Sequence, residues 1–461
     1  MSQSLSNMKI RLHFLYLLPL LAIISTLDSF AEFVFPSLIK MPNESPPALG
    51  QYKVVLLLCS CGIIALCYGY MALLMKRWLF VVLAALGALA LESYAGWNVW
   101  MVYPHVFAKL LVLLHVFAIY GFYRRYGLPQ FGLLMGLLLL ALISNLVFCH
   151  PEALNISAFL HNERGVDVTA PMLLLLVTLY YFNEYLTKGR LTQLLAFLLG
   201  VGLIIFLQHR SVWISMGVAL AMNAVLLALG QVQGARMSSA RLLPMALIPF
   251  LLIISGGLAA ISNPQVVKKL EASIDDIQHA DKQGTGSWRL DQFKAYQPFM
   301  EEYPSAGMRL KGFELPVQFY HLANDGGSEV PVWHTMTGHH FHSFYIDRLF
   351  YFGIAGLLLT LLVPLLLLLR RVLSPVPMPP ATASCIIFSL STLIFSFSYD
   401  WPLYFFGVMG LSLAAAAEPS RVLAALAPVP APASHPHQPA LPFSPPYFFP
   451  RHASSRPAVR R

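Results

Sequence analysis

The residues best suited to proton-transfer chemistry lie close together near the end of a polar segment. The stretch Gly338-His339-His340-Phe341-His342 stands where a polar region, residues 262–347, gives way to an apolar region that begins near Leu349. Histidine exchanges a proton near neutral pH, and ionisable groups at a membrane edge are functional candidates by default. The cluster therefore predicts acid–base chemistry at the boundary between water and lipid.

Two kinds of site fit this cluster. Neighbouring imidazoles suit a metal ion, and His321 and His334 stand upstream, but a structural zinc site would want further cysteine or histidine ligands at regular spacing. The polar region contains no cysteine. The simpler interpretation is one catalytic histidine with bystanders. His342 is the best candidate because it stands nearest the apolar region, directly before Ser343-Phe344-Tyr345.

Two arginines stand at unusual positions for a cation. Arg210 lies in the very short turn 208–213 between two apolar stretches, and Arg289 follows Ser287, a residue type that favours helix N-caps. A cation in the first turn of a helix opposes the helix dipole, and the outer ends of membrane helices are normally poor in arginine. A snorkelling side chain for Arg210 and a surface ion pair for Arg289 are the structural alternatives, which stay open here.

The elements that must position these residues are membrane-spanning helices. The chain has 461 residues, of which 57% are hydrophobic and 11% are charged, whereas an ordinary soluble domain has about 25% charged residues. A spanning helix needs about 20 mostly apolar residues. The sequence therefore predicts an all-α polytopic membrane protein with about twelve spans: 12–33, 54–75, 78–97, 101–122, 130–149, 169–187, 191–208, 212–230, 242–262, 348–369, 381–399 and 401–417.

Basic residues predict the orientation of these spans. Lysines and arginines recur at every second turn: Lys9 and Arg11, Lys76 and Arg77, Arg124 and Arg125, Lys188 and Arg190, Arg236 and Arg241, Arg370 and Arg371. Such residues mark the cytoplasmic side, so both termini are predicted to be cytoplasmic. The segments 34–52, 150–168 and 263–341 then face outward. The net charge of +9 reflects this asymmetry and does not indicate nucleic-acid binding.

The outward segment between the ninth and tenth spans is the largest. It begins with an amphipathic stretch, 264–278, and apolar residues recur at helical spacing over 288–300. Residues 314–337 have no strong periodicity and are predicted to be irregular. The predicted domain plan is spans one to nine in 1–262, a mostly helical outer loop in 263–341, spans ten to twelve in 342–417 and a disordered Pro/Ala-rich cytoplasmic tail in 418–461.

Several motifs, in order along the chain, resemble those of one bacterial family. The tight turn with Arg210 resembles the arginine turn of the O-antigen ligase and polymerase superfamily, and Glu163-Arg164-Gly165 resembles an Arg-Gly element in its preceding loop. Arg289 with Pro304-Ser305-Ala306-Gly307 resembles that family's Arg…Pro-x-x-Gly segment. The stretch from His342-Ser343 to Gly353 and Gly356 resembles its His-Asn…Gly-x-x-Gly signature. The resemblance covers residues 130–370, and Ser343 stands where the family usually has asparagine.

The resemblance implies transfer of a glycan from an undecaprenyl-pyrophosphate carrier to an acceptor hydroxyl at the periplasmic face of the inner membrane, without metal, nucleotide or other cofactor. Arginine suits a pyrophosphate because it stays charged and offers paired donors. Arg210 and Arg289 would stabilise the leaving group, and His342 would deprotonate or position the acceptor hydroxyl. The residues predicted to contact substrate are Arg164, Trp213, His340 and Tyr345.

Several alternatives remain open at this stage. Within the superfamily the acceptor is lipid A–core in a ligase, a second lipid-linked repeat in a polymerase, or a protein hydroxyl. A lipid-linked glycan transporter is a second class, although such proteins usually have short outer loops and internal repeats. A metal-dependent glycosyltransferase that uses Asp28 and Glu32 is a third, because the i, i+4 spacing of these carboxylates places them on one helix face. Glu92 and Asp400 are further outward or buried carboxylates.

Overall fold

The computed structural model describes most of the membrane region and part of the segment 263–341 that is predicted to face outward, which we call the outer loop. The described residues are 15–27, 29–30, 47–155, 166–252, 264, 267–268, 271, 285–314, 318–322, 330–334 and 341–417. The predictions for Asp28, Glu32, Arg164, His339 and His340 lie outside the described residues, as do the tail from 418 and most of the amphipathic stretch 264–278. For Arg289 only the backbone is described.

The chain is built from helices with one small hairpin. The helices and strands, in chain order, are α1 (Leu15–Ile24), α2 (Pro47–Cys67), α3 (Leu73–Trp97), α4 (Pro104–Leu111), α5 (Leu113–Tyr126), α6 (Phe131–Phe148), α7 (Thr169–Lys188), α8 (Leu191–Phe206), α9 (Arg210–Ala228), α10 (Ser239–Leu252), α11 (Thr285–Glu302), α12 (Arg309–Glu314), β1 (Gln318–Leu322), β2 (Val330–His334), α13 (Phe344–Val372), α14 (Pro380–Phe395) and α15 (Leu403–Ala416). Helices α4 and α5 run on as one apolar segment of 23 residues.

The helices agree with the predicted spans in position more than in length. Every predicted span overlaps a described helix. Within the described ranges, however, six helices are both long and apolar enough to cross a membrane: Leu49–Tyr70, Leu73–Trp97, Pro104–Tyr126, Phe131–Phe148, Arg210–Ala228 and Phe344–Val372. Several others, including α8, α14 and α15, are apolar but have only 14 to 16 residues. The multi-pass helical architecture is confirmed, and the number of twelve spans is not.

The predicted cytoplasmic basic residues gather at one end of the helix bundle. Their guanidinium groups donate hydrogen bonds to backbone carbonyls of neighbouring segments: Arg124 to Ala417, Arg125 to Leu66, Arg241 to Leu186, and Arg371 to Val376. We call this end of the bundle, which these four arginines mark, the basic end. Helix α5, which continues α4, ends with Arg124 and Arg125, and α13 ends with Arg370 and Arg371. Helices α4 and α13 therefore begin at the opposite end of the bundle.

The core of the bundle is formed by helices that are apolar on all faces. In α15 every residue from Tyr404 to Ala415 is buried, as expected for a helix surrounded by other helices. Small residues permit close approach there: a β-carbon on Gly410 would lie 2.6 Å from the Val116 carbonyl oxygen of α5. This packing fixes α5 and α15 against each other.

The outer loop contains a hairpin that the sequence pattern did not indicate. Strands β1 and β2 pair antiparallel, with Gln318 opposite His334 and Leu322 opposite Val330. The prediction of an irregular segment over 314–337 was therefore wrong at these strands. Helix α11 confirms the helix predicted over 288–300. The short helix α12 then leads toward the hairpin.

Candidate active site at the end opposite the basic residues

The backbone around His342 is anchored to the turn between α14 and α15. His342 is exposed, whereas the adjoining Ser343 and Phe344 are buried. The Ser343 hydroxyl donates to the Ser396 carbonyl at 3.1 Å, and the Phe344 amide lies 3.1 Å from the same oxygen. The His342 ring meets the Tyr399 ring edge-on at a centroid distance of 6.5 Å. The histidine is thus presented to the surface from a firmly bonded backbone.

Phe344 lies between an aromatic ring and a cation. The Trp401 ring stacks on it at a centroid distance of 4.4 Å and an interplanar angle of 17°. The Arg348 guanidinium lies 4.9 Å from the centroid of the Phe344 ring. The Trp401 indole N–H donates to the Ser396 hydroxyl at 2.5 Å. These contacts couple the residues after His342 to the turn from Ser396 to Trp401.

Four charged side chains form a cluster beside this turn, and two of them are fully buried. Asp347 is 1% exposed and accepts hydrogen bonds from both Lys109 of α4 and Arg348. Arg348, itself 2% exposed, also lies 3.9 Å from the Asp400 carboxylate. Two cations and two carboxylates thus share the site, which limits the cost of burying each charge alone. We call Lys109, Asp347, Arg348 and Asp400 the charge cluster.

Asp400 is the member of the charge cluster that lies nearest solvent. Desolvation raises its pKa above the ordinary aspartate value, while the Arg348 guanidinium opposes that rise and Asp347 adds to it. The Asp400 side chain keeps 40% of its accessible surface. The Asp400 carboxylate also accepts the Trp401 amide at 2.8 Å. This hydrogen bond holds the Asp400 side chain beside the turn that anchors His342.

The sequence reading missed three of these four residues. Lys109 lies within the predicted span 101–122, and Asp347 and Arg348 lie where the span 348–369 starts; ionisable residues at such positions are rare and usually paired. That rule was the available signal, but it does not say which residues pair. The Lys109 ammonium also lies 4.6 Å from the Tyr351 ring centroid, a cation–π contact that places it between α4 and α13.

The long helix α13 is interrupted where the outer loop docks onto it. Gly353 has φ 60° and ψ −159°, so the helical hydrogen bonding breaks there. The freed amides of Ile354 and Ala355 donate to the carbonyls of Pro304 and Ser305, both at 2.9 Å. The second half of the helix is therefore capped by the chain itself. The two glycine motifs that the sequence analysis linked to a family meet at this break.

Two further contacts hold the loop at this end. Arg309 donates through Nε to Glu92 Oε2 of α3 at 2.7 Å, which gives Glu92 a structural partner. Tyr296 of α11 packs edge-on against Phe341 and Phe350, with centroid distances of 4.9 and 5.3 Å. Arg289 lies about two turns before Tyr296 on the same helix. The helix that carries Arg289 is thus docked beside the residue preceding His342.

Arg210 is the first residue of α9 and is half-buried. The preceding turn is tight: Gln208 has φ 56°, and the His209 ring lies 3.1 Å from the Val166 carbonyl oxygen through Nε2. This contact brings the segment that follows Arg164 to the Arg210 turn. That segment continues to Thr169, whose carbonyl accepts the Tyr404 hydroxyl at 2.8 Å.

These contacts place the Arg210 turn and His342 at the same end of the bundle. His209 contacts Val166, and Thr169, three residues after Val166, accepts a hydrogen bond from Tyr404. Tyr404 follows Trp401 by three residues, and the Trp401 ring stacks on Phe344. The other predicted contact residues make internal bonds. The Trp213 indole donates to the Ile204 carbonyl and the Tyr345 hydroxyl donates to the Leu393 carbonyl, both at 2.9 Å. Their roles toward substrate, like those of Arg210, Arg289 and His342, stay predictions.

Taken together, these features define a multi-pass helical membrane protein with a polar site at one end, beside which part of the outer loop packs on α3 and α13. Residues 195–361 match the family model described as O-antigen ligase. The match contains the Arg210 turn, helix α11, the Pro304–Gly307 segment, His342 and the break at Gly353. It confirms the resemblance to the O-antigen ligase and polymerase superfamily over a narrower range than residues 130–370. No curated protein sequence matches the chain.

Proposed function

We propose that this protein is an O-antigen ligase-like glycosyltransferase of the bacterial inner membrane. It would move a glycan from undecaprenyl pyrophosphate to a hydroxyl of lipid A–core on the periplasmic face. The observation that carries the proposal is the setting of His342. It is exposed, its backbone neighbours are bonded to the turn beside the charge cluster, and it lies within the matched family segment at the end opposite the basic residues.

The arginines would act on the leaving group. Arg210 begins a helix of 19 residues, and the positive end of a helix dipole favours an anion there. Arg289, together with Arg164, would supply paired donors to the pyrophosphate oxygens. These cations would stabilise the negative charge that builds up as the bond from the anomeric carbon to the pyrophosphate oxygen breaks.

His342 would act on the acceptor. Its imidazole would take the proton of the acceptor hydroxyl as the hydroxyl oxygen forms a bond to the anomeric carbon. The electron pair of the broken bond would leave with undecaprenyl pyrophosphate. Attack from the face opposite the leaving group would invert the anomeric centre. Fixed arginine charges can offset the leaving-group charge, so the proposed step uses no metal ion or cofactor.

The alternatives that concern the acceptor belong to the same chemistry. A polymerase would use a hydroxyl of a second lipid-linked repeat unit in place of lipid A–core, with the same arginines and the same base. A transporter would bind the lipid-linked glycan without breaking the bond. Deletion of the gene would separate a ligase from a polymerase: loss of long-chain lipopolysaccharide with the lipid-linked polymer accumulating supports a ligase, whereas lipopolysaccharide limited to single repeats supports a polymerase.

Single substitutions test the catalytic roles directly. Arg210→Ala, Arg289→Ala and His342→Ala should each reduce glycan transfer in isolated membranes by at least about a hundredfold, as expected when one charge-stabilising or proton-transferring group is lost. Arg236→Ala, at an exposed position near the basic end, is the matched control and should keep normal transfer. Near-normal turnover in all three variants at equal expression would exclude the assignment.

A further inference from the structure

The basic end of the bundle contains a cavity that the proposed glycan transfer does not use. Its volume is about 300 Å³. It lies between the first turn of α3, the last turns of α13 and α15, and the middle of α5. Its walls include Leu74, Met75 and Tyr120 together with Arg370 and Arg371. The cavity is thus apolar on several sides and cationic at its mouth.

The two arginines of this cavity differ in their partners. Arg371 donates to the carbonyls of Val376 at 2.7 Å and Pro377 at 3.2 Å, which anchors the turn after α13. Arg370 is exposed and makes no hydrogen bond or ion pair with any described residue. None of the described residues that line the cavity is acidic. Arg370 therefore leaves a positive charge available to a ligand.

The lining selects the class of ligand. A phosphate oxygen suits an arginine at the mouth because arginine offers several donors in one plane. The leucine and methionine side chains of the cavity suit the acyl or glyceryl portion of a lipid, because burying apolar surface away from water lowers the free energy. We propose that this cavity binds the phosphate headgroup of an anionic phospholipid at the membrane surface of the basic end.

This site is separate from the proposed active site. Arg370 and Asp347 lie on either side of the break at Gly353, and the 16 residue steps from Ile354 to Arg370 alone correspond to about 24 Å along a helix. That length is most of the hydrocarbon thickness of a bilayer, which is about 30 Å. The phospholipid would therefore come from the leaflet opposite the one that presents substrate to His342. The inference does not depend on the reaction proposed above.

Lipid binding to the purified full-length protein in detergent tests this inference. Dioleoyl phosphatidylglycerol should raise the midpoint of thermal unfolding in a saturable manner, and dioleoyl phosphatidylcholine at equal concentration should raise it much less. Arg370→Gln should weaken the phosphatidylglycerol effect about tenfold in concentration, the factor that corresponds to about 1.4 kcal/mol. Arg77→Gln, an exposed arginine near the same end that does not line the cavity, should leave the effect unchanged.

A second variant separates the cavity from general surface charge. Ala416→Phe would fill the cavity without altering any charge and should abolish the phosphatidylglycerol effect, while native mass spectrometry should show loss of the bound lipid. Inorganic phosphate serves as the free-anion probe: if it stabilises the protein as strongly as phosphatidylglycerol, the ligand is a soluble phosphate and the lipid assignment is wrong. An equal response of Ala416→Phe, Arg370→Gln and the parent protein to phosphatidylglycerol would also overturn the proposal.

Discussion

Gly307 lies in the break that Gly353 makes in the long helix α13, with the two backbones in direct contact. A β-carbon on Gly307 would lie 2.5 Å from the Gly353 amide nitrogen and 2.4 Å from that of Phe352. Both glycines also have positive φ values, 66° and 60°. The outer loop and the helix therefore approach each other at a place where only hydrogen atoms fit.

The first prediction follows from this contact. Gly307→Ala should destabilise the protein by about 2 kcal/mol or more, because a left-handed conformation strains an alanine and the β-carbon also meets backbone atoms. Thermal unfolding in detergent measures the effect. Gly202→Ala, where no atom lies within 4 Å of the added carbon, is the control and should change stability little. Equal midpoints for the two variants would contradict the described docking.

The second prediction concerns the charge cluster. Asp347→Asn leaves the buried Arg348 and the nearby Lys109 without their shared carboxylate, and breaking a buried pair typically costs about 3–5 kcal/mol. We expect a large fall in unfolding temperature together with loss of transfer. Glu92→Gln removes one partner of a pair whose side chains are 30% and 34% exposed, so it should cost about 1 kcal/mol or less.

A double variant tests whether the ion pair itself is responsible. Lys109→Met with Asp347→Asn removes the cation and the carboxylate charge together. It should be more stable than Asp347→Asn alone, because only Arg348 then remains without its carboxylate. If the double variant loses as much stability as the sum of the two single changes, Lys109 and Asp347 do not interact as described.

The third prediction concerns pH. The pKa of Asp400 is raised in the folded protein, so the folded state holds this proton at pH values where the unfolded chain has released it. The contribution of Asp400 to stability is therefore greatest at low pH and is lost as pH rises through the folded pKa. Asp400→Asn carries no titrating carboxyl group at this position, so it should remove this part of the pH dependence of stability. A parallel pair of curves of unfolding midpoint against pH would contradict it.

The fourth prediction concerns the anchoring of His342. Ser343→Ala removes the hydrogen bond to the Ser396 carbonyl and should cost about 1 kcal/mol of stability. Because the backbone that presents His342 would then be held less firmly, we expect kcat for glycan transfer to fall several-fold with KM little changed. A normal kcat in a variant with lowered stability would show that Ser343 supports only the fold.

The sequence was sufficient for those features that depend on local composition. Apolar runs predicted where helices lie, and the basic residues around Arg124 and Arg371 predicted which helix ends come together. The helix that carries Arg289 was visible from the spacing of Leu290, Phe293 and Tyr296. Span lengths were less accurate, because α14 ends and α15 begins at the turn that anchors His342, and both helices are shorter than the apolar runs that contain them.

Features that depend on distant residues were not visible in the sequence. Lys109 and Asp347 are 238 positions apart, and no local pattern relates them. The hairpin of β1 and β2 depends on pairing between strands whose own periodicity is weak. The glycines at 307 and 353 were noted as motif positions, but their mutual contact follows only from the way the loop folds back onto α13.

The positions of the four charge-cluster residues along the chain limit which segments can be exchanged between related proteins. The matched segment, residues 195–361, includes Asp347 and Arg348, whereas Lys109 precedes it and Asp400 follows it. A chimaera that imports only this segment from a relative would combine two charges from one parent with two from the other. Functional grafts should therefore require α4 and the α14–α15 turn to be transferred with the segment, so the part of the chain that must be exchanged together is nearly the whole membrane bundle.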